Sequence, residues 1–147
     1  MMRKLVTFLS LPPPESLLVV QLWARLLLAY LALRRWPLDR ARRTLRGLPG
    51  LVPKDVSPER MARLTDIAAR RALRPTHCLE RCLALEGLLR RQGLSPELRI
   101  GTCRLEGGLR FHAWLEHAGS PIGEAPGMRT FFQPLDPMPA HEKEICA

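Results

Sequence analysis

The hydrophobic pattern of this chain changes period once, and that change limits the folds it can adopt. Between residues 58 and 92 apolar side chains recur at helical spacing. Between residues 97 and 116 they alternate, and Gly107-Gly108 divides this stretch into two strands joined by a turn. Residues 130–133 are a candidate further strand. Helices followed by an antiparallel meander predict an α+β fold.

The helical stretch divides at a proline. Ser57 is a predicted helix cap, and the proline that follows it suits the first turn of a helix over 58–73. Pro75 ends that helix, and Thr76 is the predicted cap of the next one, which ends near Gly93. The sequence therefore predicts two helices directly before the sheet.

An apolar run over residues 17–33 follows three consecutive prolines and is long enough to raise the question of a membrane span. Gln21 and Arg25 interrupt it and make an unassisted span costly. We favour a helix packed within the protein. Attachment at a membrane interface is the second alternative, and a span is the third.

The composition indicates a folded protein with a basic surface. Apolar residues make up 46% of the chain, enough for a core without disulfide staples. The net charge of +9 favours an acidic peptide or an anionic surface as a partner. No motif in which basic and aromatic residues alternate is present, so nucleic acid is not an expected partner.

Prolines and glycines over residues 47–53 predict a linker and a domain boundary. We divide the chain into an N-terminal helical segment, residues 1–54, and a second domain, residues 55–147. The first segment would dock a partner or a leader peptide, or contact a membrane interface. Its apolar face and its basic run from Arg34 to Arg46 form the predicted docking surface, which charge reversal at Arg42 and Arg43 would test.

Cysteine usage indicates a reduced, cytoplasmic protein. The start of the chain lacks the cleavage site of a secretory signal, and we interpret it as mature sequence. A metal site is an alternative, because several thiols and imidazoles lie in the second half of the chain: His77, Cys78, Cys82, Cys103 and His112. A Cys-x3-Cys spacing without a second close pair fits structural zinc poorly, so no metal is expected.

A nucleophilic site is the other chemical hypothesis. Cys78 falls in the first turn of a predicted helix, where free backbone N–H groups favour a negative charge. His112 on a strand could take its proton, and Glu124 on the next strand could orient the imidazole. Taken singly, a cysteine that begins an apolar stripe is more often core, and a lone histidine is more often structural. Spacing alone leaves both interpretations open.

Three segments carry a family resemblance: CLERCLAL at 78–85, LLRRQG at 88–93 and FHAWLE at 111–116. They resemble the lasso peptide biosynthesis B2 proteins, which are transglutaminase-like leader peptidases with the pattern Cys-Leu-x-Arg-Ser-Leu-Ala-Leu, a helix ending Arg-x-Gly, and His-Ala-Trp-Val-Glu. The resemblance covers roughly residues 55 to 136. It implies a papain-like core in which the nucleophile helix packs on an antiparallel sheet, preceded by N-terminal helices.

The resemblance implies a catalytic triad of Cys78, His112 and Glu124. Cys82 stands where the family usually has serine, so it is not the first choice as nucleophile. Glu124 stands where the family more often has aspartate, and Asp136 is the second choice for the acid.

The implied activity is that of a cysteine peptidase that removes the leader from a ribosomally made lasso peptide precursor. The implied partners are the precursor's leader, a separate B1 recognition protein and an asparagine-synthetase-like macrolactam cyclase, and no cofactor is needed. Membrane contact is possible but not expected. Two other functions stay open: a noncatalytic scaffold with the same fold, and amide transfer by the same triad.

Overall fold

The computed structural model describes residues 13–125 and 127–135 of the 147-residue chain. The helices are α1 (Pro13–Arg35), α2 (Leu38–Gly47), α3 (Pro58–Arg70), α4 (Cys78–Arg91) and α5 (Met128–Phe131), and the strands are β1 (Glu97–Leu105), β2 (Gly108–His117), β3 (Ser120–Pro121) and β4 (Gln133–Pro134). The strands form one antiparallel sheet in the order β3-β2-β1-β4. The predicted α+β class is confirmed.

The predicted β1–β2 hairpin is paired over its whole length, from Glu97 opposite Glu116 to Leu105 opposite Gly108. A tight turn follows β2, in which Ala118 and its glycine neighbour both have positive φ angles, 49° and 78°. Such turns match the twist of antiparallel strands. The chain is therefore folded back along β2, and this places the segment after β3 beside the middle of that strand.

Helix α4 lies at the centre of the molecule and packs against α1, α2, α3 and β2. The core between these elements is built mainly from aliphatic side chains, among them Leu18, Leu22, Leu26, Leu64, Leu88 and Leu115. Three of these belong to α1, so this helix shares its core with the second half of the chain. The predicted division at residue 54 stays a prediction.

Arg25, the charged residue that interrupts the apolar run in the middle of α1, is buried and has a structural role. Its guanidinium donates hydrogen bonds to the backbone carbonyls of Leu45, Leu48 and Pro49. Burial lowers the pKa of this guanidinium from its ordinary value. A Cβ at Gly87 would come within 2.5 Å of Arg25 Nη1, so only glycine lets α4 approach so closely. Arg25 thus joins α1 to α2 and to the linker.

A buried carboxylate joins α2 to α4. Glu86 accepts hydrogen bonds from Arg42 Nη2 and Arg46 Nη2, each at 2.7 Å. Arg42 Nε also donates to Glu86 Oε2 at 2.9 Å. Within the predicted docking surface, Arg42 is therefore held by the protein itself, whereas Arg40 and Arg43 are exposed. The charge of Arg42 is thus already paired inside the protein, and the docking surface stays a prediction.

Two local predictions were wrong. The cap of α4 is His77, not Thr76. The hydroxyl of Thr76 instead accepts a hydrogen bond from Arg81 Nε at 3.3 Å, while the carboxylate of Glu80 accepts one from the backbone N–H of His77. The candidate strand over residues 130–133 was misplaced: the helix α5 takes residues 130 and 131, and strand pairing begins at Gln133, the first residue of β4.

Candidate active site

Cys78 is the first residue of α4 and is half-buried. The start of this helix is fixed by Glu80, whose carboxylate also accepts a hydrogen bond from Arg74 Nη2 at 2.8 Å. The first backbone N–H groups of a helix have no partner within the helix and carry its positive partial charge. The Cys78 side chain therefore lies beside free backbone N–H groups that can stabilise an oxyanion next to it.

His112 projects from the middle of β2 and contacts a carboxylate from the segment after β3. The distance between His112 Nε2 and Glu124 Oε1 is 3.1 Å, and both side chains are about three-quarters buried. Gly123, directly before this glutamate, has a φ of 71°, and a Cβ there would lie 2.3 Å from that of Ala62. Glycine at this position lets the loop pass against α3 and bring Glu124 to the histidine.

Two aromatic rings hold the imidazole in place. The ring centroids of His112 and Trp114 are 6.1 Å apart and those of His112 and Phe132 are 5.0 Å apart. Trp114 is itself fixed, since its indole N–H donates to the buried Glu116 at 2.8 Å. A Cβ at Gly101 on β1 would come within 2.7 Å of the Trp114 ring. The imidazole is thus oriented by packing as well as by Glu124.

The three predicted site residues line one cleft of about 170 Å³ between α3, α4 and β2. Cys78 comes from the start of α4, His112 from β2 and Glu124 from the loop after β3. The opposite wall is formed by α3 and carries Ala62, Thr65 and Asp66. The residues that the sequence nominated are therefore brought together, although they are far apart in the chain.

Cys82 also reaches this cleft, but in a different state from Cys78. Burial raises the pKa of the Cys82 thiol well above its ordinary value, and the nearby Cys78 and Glu124 add to this effect. Cys82 therefore stays a protonated, unreactive thiol near neutral pH. Asp136, the second choice for the acid, and Cys146 lie outside the described residues.

Among residues 13–125 and 127–135, no group of three or more His, Cys, Asp and Glu side chains could hold a metal ion. The cysteines described there, Cys78, Cys82 and Cys103, are all free thiols. Cys103 lies on β1 and does not line the cleft. The zinc alternative thus has no ligand set in the part of the chain that the structure describes.

Sequence reasoning missed an ion pair at the cleft. Arg81 Nη1 lies 3.3 Å from Asp66 Oδ1, and both side chains are about two-fifths exposed. Arg81 lies one helical turn after Cys78, and that spacing could have indicated its place beside the thiol. Asp66 belongs to another helix, and no local pattern marks it.

A half-buried cysteine at a helix start, in one cleft with a histidine from an antiparallel sheet and a carboxylate from the adjoining loop, is the arrangement of thiol enzymes of the papain type. The family model described as Transglutaminase-like superfamily matches residues 18–136. The chain therefore belongs to the transglutaminase-like superfamily, which includes cysteine peptidases and transferases. The match begins within α1, so the family domain includes the N-terminal helices. No curated protein and no solved structure matches the chain.

Proposed function

We propose that this protein is a cysteine peptidase that removes the leader from a lasso peptide precursor, with Cys78 as nucleophile, His112 as base and Glu124 as the orienting acid. One observation carries the proposal. The 3.1 Å contact between His112 Nε2 and Glu124 Oε1 lies in the same cleft as the thiol at the start of α4. The resemblance of residues 78–93 and 111–116 to B2 proteins supports the choice of substrate.

The contact between His112 and Glu124 assigns a role to each nitrogen of the imidazole. With its proton on Nε2, the ring donates to Glu124, which leaves Nδ1 to accept the proton of the Cys78 thiol. The thiolate then attacks the scissile carbonyl, and N–H groups at the start of α4 stabilise the oxyanion. The imidazolium protonates the leaving amine, and water, with His112 as base, hydrolyses the thioester.

The proposed partners follow from the same assignment. A separate B1 protein would deliver the leader, and an asparagine-synthetase-like macrolactam cyclase would take the released core peptide. The exposed Arg40 and Arg43 on α2 are the proposed contacts for an acidic leader or for the recognition protein. We place this work in the cytoplasm, where the thiol stays reduced.

The direct test is mass spectrometry of a cognate precursor peptide incubated with its recognition protein and each variant. Wild type should release the leader, Cys78→Ala should not, and Cys82→Ala should keep most of the activity because its thiol is buried and protonated. Leader release by folded Cys78→Ala would overturn the assignment. A product in which the leader is joined to an added amine would instead identify amide transfer.

A second test needs no substrate. Iodoacetamide at neutral pH should alkylate Cys78 in the folded protein and leave the buried Cys82 unmodified, as read by peptide mapping. If Cys78 reacts no faster than a free cysteine in a peptide of the same local sequence, the site does not activate it. The scaffold function would then be the better explanation.

A further inference from the structure

The exposed face of α1 is apolar over about four helical turns. Six large apolar side chains on it are between 42% and 56% exposed: Leu17, Val20, Trp23, Leu27, Leu28 and Leu31. At about 100° per residue, these positions cover an arc of about 140°. The one charged residue between 16 and 33 is Arg25, and it is buried. The whole face is thus free of charge.

The other face of α1 is locked into the protein. Leu18, Leu22 and Leu26 are buried in the core, and Arg25 binds three backbone carbonyls. The segment Glu15–Arg35 is long and apolar enough to cross a membrane by length and composition, but 39% of its apolar window is buried in the protein. A helix held in this way can lie on a lipid surface but cannot cross one without unfolding the core.

Further apolar and basic groups border this face. Leu73, in the connection between α3 and α4, is 98% exposed, and an apolar groove of about 360 Å³ separates it from α1. Arg34 and Arg35 lie at the end of the face, and the guanidinium of Arg74 stacks on Tyr30, 3.5 Å from the ring centroid. The face therefore combines protruding apolar side chains with a basic rim.

We propose that this face of α1, together with Leu73, docks the protein flat on an anionic lipid surface. Arg34 and Arg35 on the basic rim match anionic headgroups, whereas Arg74 is already paired with Glu80. A second copy of the chain would bring like charges together. The apolar arc is also wider than the narrow seam by which one helix pairs with another. Tryptophan and leucine on one face with arginine beside it are typical of interfacial helices.

The test is flotation of the full chain with vesicles of two compositions, pure phosphatidylcholine and an equimolar mixture of phosphatidylcholine and phosphatidylglycerol. Binding is expected with the anionic vesicles only, and it should weaken as salt is raised. Leu27→Glu and Leu73→Glu should each weaken it about tenfold or more. The matched control is Leu109→Glu, because Leu109 is as exposed as Leu27 but lies on the β1–β2 hairpin.

The charge on the rim is tested with a second matched pair. Arg34→Glu/Arg35→Glu should reduce binding strongly, whereas Arg104→Glu/Arg110→Glu changes the net charge equally on the distant hairpin and should have a smaller effect. All variants are checked for folding by circular dichroism. Equal binding by Leu27→Glu, Leu73→Glu and Leu109→Glu would overturn the proposal, and so would the absence of any flotation. A concentration-dependent dimer that Leu27→Glu abolishes, without flotation of wild type, would assign the face to a second copy instead.

Discussion

Helix α4 carries ionisable groups in two opposite situations. Near its middle, Glu86 is buried and is bound by two arginines from α2. At its start, Cys78 is half-buried and opens into a cleft with His112 and Glu124. A buried charge with all its hydrogen bonds made contributes to stability, whereas a partly exposed group beside a proton acceptor can do chemistry. The same helix therefore serves both as a structural centre and as the support of the site.

The pKa of Glu86 reflects its situation. Burial alone would raise the pKa of this carboxyl group, but the hydrogen bonds and charges of Arg42 and Arg46 outweigh burial and hold it below its ordinary value. Burial also acts on the Cys82 thiol, and there the charge of Arg81 opposes it too weakly to prevent a raised pKa. Burial in the protein thus has opposite consequences, depending on whether cations bind the group directly.

The largest effect is expected in the candidate site at the start of α4. His112→Ala should lower the rate of leader release by about 10²–10⁴-fold, the usual contribution of a positioned acid-base group, while the free energy of unfolding changes little. The control is His117→Ala, five positions further along β2 and outside the cleft. Equal losses in the two variants would mean that His112 acts through the sheet and not through the thiol.

Substitution of Glu86, near the middle of α4, should have the opposite effect: it should lower stability and leave the candidate site unchanged. Glu86→Ala leaves Arg42 and Arg46 with no acceptor between them, and removal of one partner from a buried ion pair costs about 3–5 kcal/mol. Urea unfolding should show this loss, against about 0.5 kcal/mol or less for the exposed control Glu97→Ala. Alkylation of Cys78, per folded molecule, should stay at the wild-type rate. A slower rate of alkylation would mean that Glu86 and the candidate site are coupled.

The sequence predicted some elements well because their signals are local. Ser57 caps α3 through a hydrogen bond from the backbone N–H of Arg60, and the β1–β2 hairpin has the predicted bounds within one residue. In both cases, the deciding contacts lie within one element or between neighbouring ones. That Cys78 and His112 share a site was implied by the family resemblance and not by a local pattern.

What the sequence could not predict depends on partners distant in the chain. No local pattern marks Arg25 and Glu86 as buried charges, and their roles become visible only when their acceptors and donors, 20 to 44 residues away, are in place. The cap of α4 was misassigned for a different, local reason. Arg81 donates a hydrogen bond to the hydroxyl of Thr76, and the helix begins with Cys78 as its first residue.

A smaller effect is expected at Glu124. Glu124→Gln keeps an acceptor for the Nε2 proton of His112 but removes the charge that stabilises the imidazolium, so the rate of leader release should fall about 10- to 100-fold. KM should change little, because the amide is isosteric. The matched control is Asp66→Asn, on the opposite wall of the cleft. If Asp66→Asn has the larger effect on the rate, the acid of the site has been misassigned.

The pH dependence of stability should show the contribution of the ionised Glu86 carboxylate. Its folded-state pKa lies below the ordinary value of 4.5, so its contribution to stability is fully present above pH 4.5 and is lost as the pH falls through the lower folded-state value. The gap in melting temperature between wild type and Glu86→Gln should therefore be constant near neutral pH and should narrow in acid. A gap that widens below pH 4.5 would contradict this sign.

The smallest expected effect gives the sharpest form of the comparison. Glu15 binds Arg60 at the same 2.7 Å distance that joins Glu86 to Arg42, and this hydrogen bond lowers the pKa of the Glu15 carboxyl group. The difference is burial, since 38% of the Arg60 side chain is exposed. Solvent and salt screen such a pair, so Glu15→Gln should cost only about 0.5 kcal/mol, and less at high salt. Urea unfolding of Glu15→Gln and of Glu86→Gln, each at low and high salt, compares the two losses in the free energy of unfolding. Equal costs for the two would mean that contact geometry, and not burial, separates the stabilising carboxylates of this protein.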